Sequence, residues 1–516
     1  MLILKRNIMS RINKRCVVFG LFFLASIIAS MGSVISHGVM ILYATLALYT
    51  VSTLVPKIQR WIDRADFVPD EHLSGKQGFN VSLMAGVITF LVLLIWFTGS
   101  YPGYYSPDSI DQLEQAMTGI YNDWFPVLHT LLAYTLPLKL TGWPASIVLC
   151  QILWFSVMMG CYAKTVYVYA GSLFTKVSVA FIIYSPFTLE IVMYPWKDTA
   201  LGIVAGFCML FAVHVYFTKG QWCNSIPNLV MMSFMLAIAT ILRHNAILFT
   251  FFLIAGLFFF MSGRRWIQMV MLSALFFILI KFPLYSFLGV QKPGDRLLEV
   301  SGLPLSIITT VVKECPEKVD GQTARFVDDL MAPQPDWKEY HCLEGFNSVK
   351  FRGIDKNVIE EAGPGGILKM TLDCFVSAPL VSLRSIYGVT RPVYELGYGC
   401  VIIGEIVDND LGLVYKGCKV AGFLKSCYRN LVYKTPLRII FSSIAITILV
   451  MLAFMLFRSD FRSTADWKRI MLCIPVLIYD SVTMLLLTWH DVRFFYMNWI
   501  VCPLVVLIMG RKNATE

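Results

Sequence analysis

The sequence predicts an all-α, polytopic membrane protein, and two features of its composition predict it. Of the 516 residues, 57% are hydrophobic and only 15% are charged, and those charges gather between long apolar runs. A charge at the centre of a lipid-exposed helix costs about 2.5–3.5 kcal/mol, so runs near ~20 residues with almost none are read as membrane spans. The net charge of +10 then requires no nucleic acid, because basic residues in such proteins hold loops on the cytoplasmic side.

With a span of ~20 residues as the ruler, helices are expected at 16–35, 37–56, 80–99, 143–163, 172–188, 198–218, 226–242, 245–262, 266–289, 437–457, 470–489 and 495–510. That is a bundle of about 12 spans. The first run follows a basic head of Lys5, Arg6, Arg11, Lys14 and Arg15, as a signal peptide would. A second run follows at once, with only Ser36 and His37 between, so a helical hairpin is expected rather than a cleaved leader. Pro126 to Leu140 is apolar but short and flanked by polar sequence, and is read as an interfacial segment.

Each span reverses the side of every later loop, so this assignment has consequences. It puts both termini and every short basic loop in the cytoplasm, among them Lys57 to Lys76, Arg264-Arg265, Arg458 to Arg469, and Arg511-Lys512. Counting Pro126 to Leu140 as a span would break that pattern. Outside, the same parity puts Tyr101 to Trp124, the turn Pro186 to Lys197, and the corners Arg243-His244-Asn245 and His490-Asp491-Val492-Arg493.

The expected organisation is an N-terminal transmembrane module over 1–289 with its first outer loop at 101–125, a large outer region over 290–436, and C-terminal helices over 437–516. Within the outer region Ile367 to Tyr387 is apolar but interrupted by Lys369, Asp373 and Arg384, which suits a helix lying along the membrane surface. Cys315, Cys342, Cys374, Cys400, Cys418 and Cys427 fall in the same region. An oxidising compartment would allow disulfides among them, with the pairing left open. No Cys-x-x-Cys pair suggests a metal site.

Ionisable residues that are not cytoplasmic anchors collect on the outer side, and this asymmetry is the main functional signal. The first outer loop holds Asp108, Asp111, Glu114 and Asp123 in a short space. Ser106-Pro107 is a helix start, with Ser106 as cap and Pro107 at the first helical position, so Asp108 lies where the helix dipole favours a carboxylate. Asp108, Asp111, Gln112 and Gln115 then recur at spacings of three and four, presenting carboxylate and amide on one face. The plainer alternative makes Asp108 a dipole-complementing residue and Asp111 a solvated one.

Arg243-His244-Asn245 lies between two apolar runs with no room for a loop, and ionisable groups at that depth are functional candidates by default. Lys197-Asp198 opens one span, while His490, Asp491 and Arg493 stand at the outer end of another. Three cations and two imidazoles at one interface can receive a phosphate ester. The competing reading pairs Lys197 with Asp198, lets Arg243 snorkel and makes Arg493 a stray anchor.

These residues suit a sugar donor on polyprenyl phosphate, whose tail would lie among the helices and whose phosphate would lie at the interface. Asp108, with Asp111 as second choice, would act as base on the acceptor hydroxyl. Lys197, Arg243 and Arg493, with His244 and Asn245, would hold the departing phosphate. Tyr105, Gln112, Trp124, His490 and Asp491 are candidates for the sugar or acceptor. Tyr101, Tyr104, Tyr105, Tyr121 and Trp124 could stack on sugar faces or serve as ordinary interface anchors. His129 is expected to be structural.

The motifs Pro-Gly-Tyr…Ser-Pro-Asp-Ser…Asp-Trp-Phe-Pro over Tyr101 to Pro126, Leu242-Arg243-His244-Asn245 and Asp491-Val492-Arg493-Phe494, set in this architecture, resemble the GT-C class of glycosyltransferases. The resemblance implies inverting transfer of a sugar from a polyprenyl-phosphate carrier, with an acidic residue of the first loop as base or metal ligand. It puts Asp108 first. The tandem acidic pair seen where the class binds metal is not clear here, so the resemblance carries over a metal-independent mechanism; a divalent ion is not indicated, and the metal question stays open.

In size and layout the chain is similar to bacterial inner-membrane enzymes that decorate O-antigen, including serotype-converting glucosyltransferases. That likeness implies undecaprenyl-phosphate glucose as donor and a lipopolysaccharide O-antigen glycan or glycolipid as acceptor. Two rivals share the many spans. A flippase or transporter of lipid-linked saccharide would show internal duplication or broken helices at mid-membrane, and polar groups within the helices, of which Glu190 and Asp480 are the ones to examine. An O-antigen polymerase or ligase would bring large outer loops and essential arginines.

Overall fold

A computed structural model describes residues 75–292, 296–340, 345–395, 398, 402, 404–435 and 437–511. The spans expected at 16–35 and 37–56, with Cys342 and Cys400, lie outside the described residues. The protein is all-helical as expected, with two isolated β-bridges, Tyr105 to Ile406 and Asn122 to Gln291, among the described residues.

Five described helices are long and apolar enough to cross a membrane: Gly75–Thr98, Ala145–Ile183, Lys197–Phe217, Gly263–Phe287 and Val492–Gly510. The expected count of about 12 is not confirmed among the described residues, where several of the expected runs are short or interrupted. Ile226–Leu242 and Ala246–Phe258 have 17 and 13 residues, so at 1.5 Å per residue they fall short of a hydrocarbon core of ~30 Å. The run expected at 437–457 breaks at Ser443, whose extended backbone separates Leu437–Ser442 from Ile444–Arg458. The one expected at 470–489 is divided where Pro475, unable to donate a backbone hydrogen bond, follows Thr464–Cys473. The pair expected at 143–163 and 172–188 meets at Gly171, whose φ of 76° and ψ of 178° interrupt Ala145–Ile183.

The chain forms two compact units, divided differently from the sequence expectation. The first comprises 293–398 and 480–492. Its centre is Gly302–Glu314, buried from Gly302 to Val312 apart from Pro304, and covered by Gly321–Leu330, Lys356–Ser377 and Pro379–Thr390. Asp320 caps Gly321–Leu330 by accepting from the Gln322 and Thr323 amides, which holds its carboxyl below the usual range. The single surface helix expected over Ile367 to Tyr387 is instead two helices bent by 118° at Ala378-Pro379. Pro379 disfavours helical backbone at the residue before it, and Ala378 is accordingly non-helical, at φ −138° and ψ 63°. Leu368, Leu372 and Val376 leave one apolar face of the first helix exposed.

Among the described residues, the second unit lies within 75–292, 402–479 and 493–511. At its core lies Met497–Gly510, buried at every residue although unbroken by charge, with Lys197–Phe217, Ile444–Arg458 and Thr464–Cys473 packed around it. A helix apolar on all sides is buried by protein and lipid alike. Gly75–Thr98 packs against Ala145–Ile183 and turns Phe79, Leu83, Val87, Leu91 and Ile95 outward, a stripe at helical spacing that suits lipid contact. The segment after it folds inward: Tyr104 N–H donates to the Met193 carbonyl at 3.0 Å and Tyr105 N–H to the Glu405 carbonyl at 3.0 Å.

Cys315, Cys374, Cys418 and Cys427 carry free thiols, so no disulfide forms among the described cysteines. Gly103 makes the inward fold of the loop sterically accessible. Its φ of +116° disfavours a side chain, and a Cβ there would meet Val148 Cγ2 at 2.4 Å. Gly103→Ala is therefore expected to lower stability by about 1–3 kcal/mol, seen as reduced thermal unfolding temperature in detergent. An unchanged transition would show that the loop reaches its position without this constraint.

Candidate functional site

In the second unit, four separated stretches of sequence bring their charged side chains together. Pro107–Thr118 begins as expected, with Ser106 at the cap and Pro107 first, and Asp108 occupies its first turn. The Ser106 hydroxyl does not cap the helix. It accepts instead from Trp196 Nε1 at 2.8 Å, tying the first loop to the residues that precede Lys197–Phe217. Asp198 sits in the first turn of that second helix, so both carboxylates stand at helix N-termini, where the dipole stabilises negative charge.

Two arginines join them. Ile226–Leu242 ends at Arg243, whose extended backbone aims its side chain away from the helix axis and into an ion pair with Asp198. Arg493, one turn before Met497–Gly510, pairs with Asp108 at 2.9 Å and reaches Asp198 at 3.8 Å. Asp198 is buried, whereas the Asp108 side chain is 34% exposed. Both guanidinium groups lie over the Phe494 ring, at 4.1 and 5.1 Å, and Arg493 also lies over Trp196 at 4.8 Å. Planar guanidinium groups suit such stacking and keep their donor edges for oxygen ligands.

Lys197 completes the group in a way neither sequence reading anticipated. Adjacent residues on a helix do not face each other, so it leaves Asp198 to the arginines. Its ammonium donates to the Trp124 carbonyl at 3.2 Å and lies 5.0 Å from the Phe125 ring centre. The alternative in which Lys197 and Asp198 pair, Arg243 snorkels and Arg493 stands alone is not what the structure contains. Nearby in the first loop, Lys281 holds Asp123 at 2.8 Å, an ion pair the sequence reading did not foresee.

Other expected positions play different parts. Tyr105 is fully buried and donates its hydroxyl to the Pro144 carbonyl at 2.9 Å, a packing position in this structure. Tyr104 and Tyr121 are buried as well, leaving Tyr101 and Trp124 as the half-exposed aromatics of that loop. Gln112 is also interior: its Oε1 accepts from His129 Nδ1 at 2.8 Å and from the Thr130 hydroxyl at 3.3 Å. Asp111 accepts from Gln115 Nε2 at 3.1 Å. His244 is exposed and Asn245 half-exposed in the turn before Ala246–Phe258.

His490 and Asp491 belong to the first unit. His490 stacks on Trp489 at 4.2 Å and meets the Tyr398 ring edge-on at 5.8 Å; burial, then nearby Arg391, lowers its pKa to about 4. The Asp491 N–H donates to the Trp489 carbonyl at 2.7 Å. Among the described residues no group of three or more His, Cys, Asp or Glu gathers at metal-binding spacing.

Sequence reasoning missed a second charged group in the same unit. Glu190, flagged only as an intramembrane acid to examine, is fully buried and pairs with Lys425 at 3.0 Å and Arg429 at 3.3 Å. Burial pushes the Glu190 carboxyl up, opposed by the Arg429 charge, and pushes the Lys425 ammonium down, with Arg429 adding to that effect. The signal lay in the spacing of Lys425 and Arg429, four apart in a segment that was read only as part of a long polar loop.

Comparison of the chain with protein-family models, curated proteins and solved structures returns no match.

Two tests follow from this geometry. Asp198→Asn removes the buried negative charge that two arginines share, and is expected to cost roughly 3 kcal/mol or more in detergent unfolding; an unchanged stability would mean that the arginines do not rely on it. His129 is the second. Burial, then Lys197, lowers its pKa to about 3, so the native state holds it neutral while the unfolded chain takes up a proton below the ordinary value of about 6.5. Its contribution is therefore present above that value and is lost as pH falls toward 3. Native protein should lose stability more steeply between pH 6.5 and 4 than His129→Gln, and parallel curves would contradict the assignment.

Proposed function

We propose that this protein is an inverting membrane glycosyltransferase that moves a hexose from a polyprenyl-phosphate carrier to a hydroxyl of a cell-surface glycan. The observation that carries this reading is the shared ion-paired group of Asp108, Asp198, Arg243 and Arg493, with Lys197 beside it. Three cations against two carboxylates leave one positive charge, which matches the single negative charge of a sugar phosphodiester. In keeping with the likeness in size and layout to bacterial enzymes that decorate O-antigen, the sugar is taken to be glucose and the acceptor a lipopolysaccharide O-antigen or its lipid-linked precursor. The reaction is assigned to the outer face of a bacterial inner membrane.

The division of labour follows from exposure. Asp198, buried, acts as the fixed counter-ion that orients both arginines. Asp108, partly exposed, is the carboxylate a substrate can reach. An arriving phosphate competes for Arg493 and releases Asp108 from its ion pair, so that the base becomes available only when donor is bound.

The acceptor oxygen then bonds to the anomeric carbon on the face opposite the phosphate, giving inversion. Its proton passes to Asp108. The bond from the anomeric carbon to the phosphate oxygen breaks, and its electron pair leaves with the phosphate, which gains a second negative charge. Arg243, Arg493 and Lys197 interact more strongly with that dianion than with the starting diester, which is the differential stabilisation catalysis needs.

A transfer assay tests the reading. Membranes holding the native protein should move radiolabel from polyprenyl-phosphate glucose to lipopolysaccharide. Asp108→Asn should lower the rate by about 100-fold or more while leaving the unfolding temperature near native, and Arg243→Ala should weaken transfer as well. A transporter predicts no covalent transfer after detergent solubilisation, and native activity in Asp108→Asn would remove the assigned base.

A further inference from the structure

The Lys419–Tyr433 helix presents two unlike faces. Gly422, Lys425, Ser426 and Arg429, three and four residues apart, line one wall of a cleft of about 270 Å³, with Tyr104 and Tyr415 opposite. On the remaining surface Val420, Phe423, Leu424 and Leu431 are each more than half exposed. An amphipathic helix with large apolar side chains outward and cations on another face suits the boundary between acyl chains and headgroups.

The cleft is cationic at its base for a structural reason. Glu190 lies behind it with no exposure, 3.0 Å from Lys425 and 3.3 Å from Arg429. Lys425 also donates to the Ser100 hydroxyl at 2.9 Å and sits 4.5 Å from the Tyr104 ring centre. One buried carboxylate thus faces two cations. Lys425 is almost fully enclosed, but Arg429 keeps 26% of its side chain exposed, and the exposed Ser426 hydroxyl adds a donor beside it. Glu405 lines the rim with its side chain in solvent, where its charge is screened.

We propose that this cleft binds the phosphate headgroup of an anionic membrane lipid, through Arg429, Ser426 and Lys425, while Phe423 and Leu424 lie among the acyl chains. The site is separate from the Asp198 cluster and does not depend on the transfer reaction. A volume of about 270 Å³ holds a phosphate and a small attached group but no acyl chain, so the tail must leave along the exposed apolar face.

The test uses the full-length protein in neutral maltoside micelles, titrated with dihexanoyl phosphatidic acid, dihexanoyl phosphatidylcholine or inorganic phosphate, with bound lipid counted by native mass spectrometry. Phosphatidic acid should bind saturably and in preference to the other two. Arg429→Gln should weaken it at least tenfold, Arg429→Lys should restore most of the loss, and Lys197→Gln should leave it unchanged. Phe423→Ser, on an exposed position that folding tolerates, should weaken binding severalfold. Native-like binding by Arg429→Gln, equal binding of inorganic phosphate, no effect of Phe423→Ser, or loss in Lys197→Gln would each overturn the proposal.

Discussion

Asp198 is the constraint on which the site depends. A carboxylate buried in an apolar helical unit is costly unless it is paired and hydrogen-bonded, and here the compensation comes from two arginines on two other parts of the chain. Meeting that need fixes the corner after Ile226–Leu242 and the turn before Met497–Gly510 against the start of Lys197–Phe217. Arg493 then extends the network to Asp108 and the first loop. The same electrostatic demand that stabilises the fold therefore also gathers the groups suited to an anionic substrate.

The unit repeats this arrangement at Glu190, where a buried carboxylate again stands behind two cations, one enclosed and one partly exposed. Between the two groups runs a series of rings: Tyr104 lies 5.1 Å from Tyr194, which stacks on Trp196 at 4.0 Å, and Arg493 lies over Trp196. Rigid aromatic packing of this kind holds charged side chains in place with little freedom to collapse onto one another. It also explains why most tyrosines of the first loop are structural. The Tyr104 amide donates to the Met193 carbonyl, the Tyr104 hydroxyl accepts from Ser100 and the Tyr105 hydroxyl donates to the Pro144 carbonyl, contacts that anchor the loop under the site.

Much of this was legible in the sequence, and the rest failed for local reasons. Ser106-Pro107 marked a helix start, and the charged corners at Arg243 and Arg493 stood out because apolar runs bounded them so closely. Asp198 was given no part in the site, because the one partner considered for it, in the competing reading, was its neighbour Lys197, although successive helical residues point apart. Tyr105 and Gln112 looked like ligand contacts because a loop between spans was taken to be open, whereas this one folds inward against Glu405 and His129. Hydropathy alone cannot register a break such as Ser443 or Pro475 inside an apolar run. Glu190, Lys425 and Arg429 are distant in sequence, and only the packing of Pro186–Ile191 near Lys419–Tyr433 brings them together.

The most direct measurement is a density map of the full-length protein in a lipid nanodisc, determined with polyprenyl phosphate bound. The account predicts the phosphate among Arg243, Arg493 and Lys197, with Arg493 turned from Asp108 toward the ligand and Asp198 still holding Arg243. A phosphate seated elsewhere, or an Asp108–Arg493 pair unchanged in its presence, would contradict it.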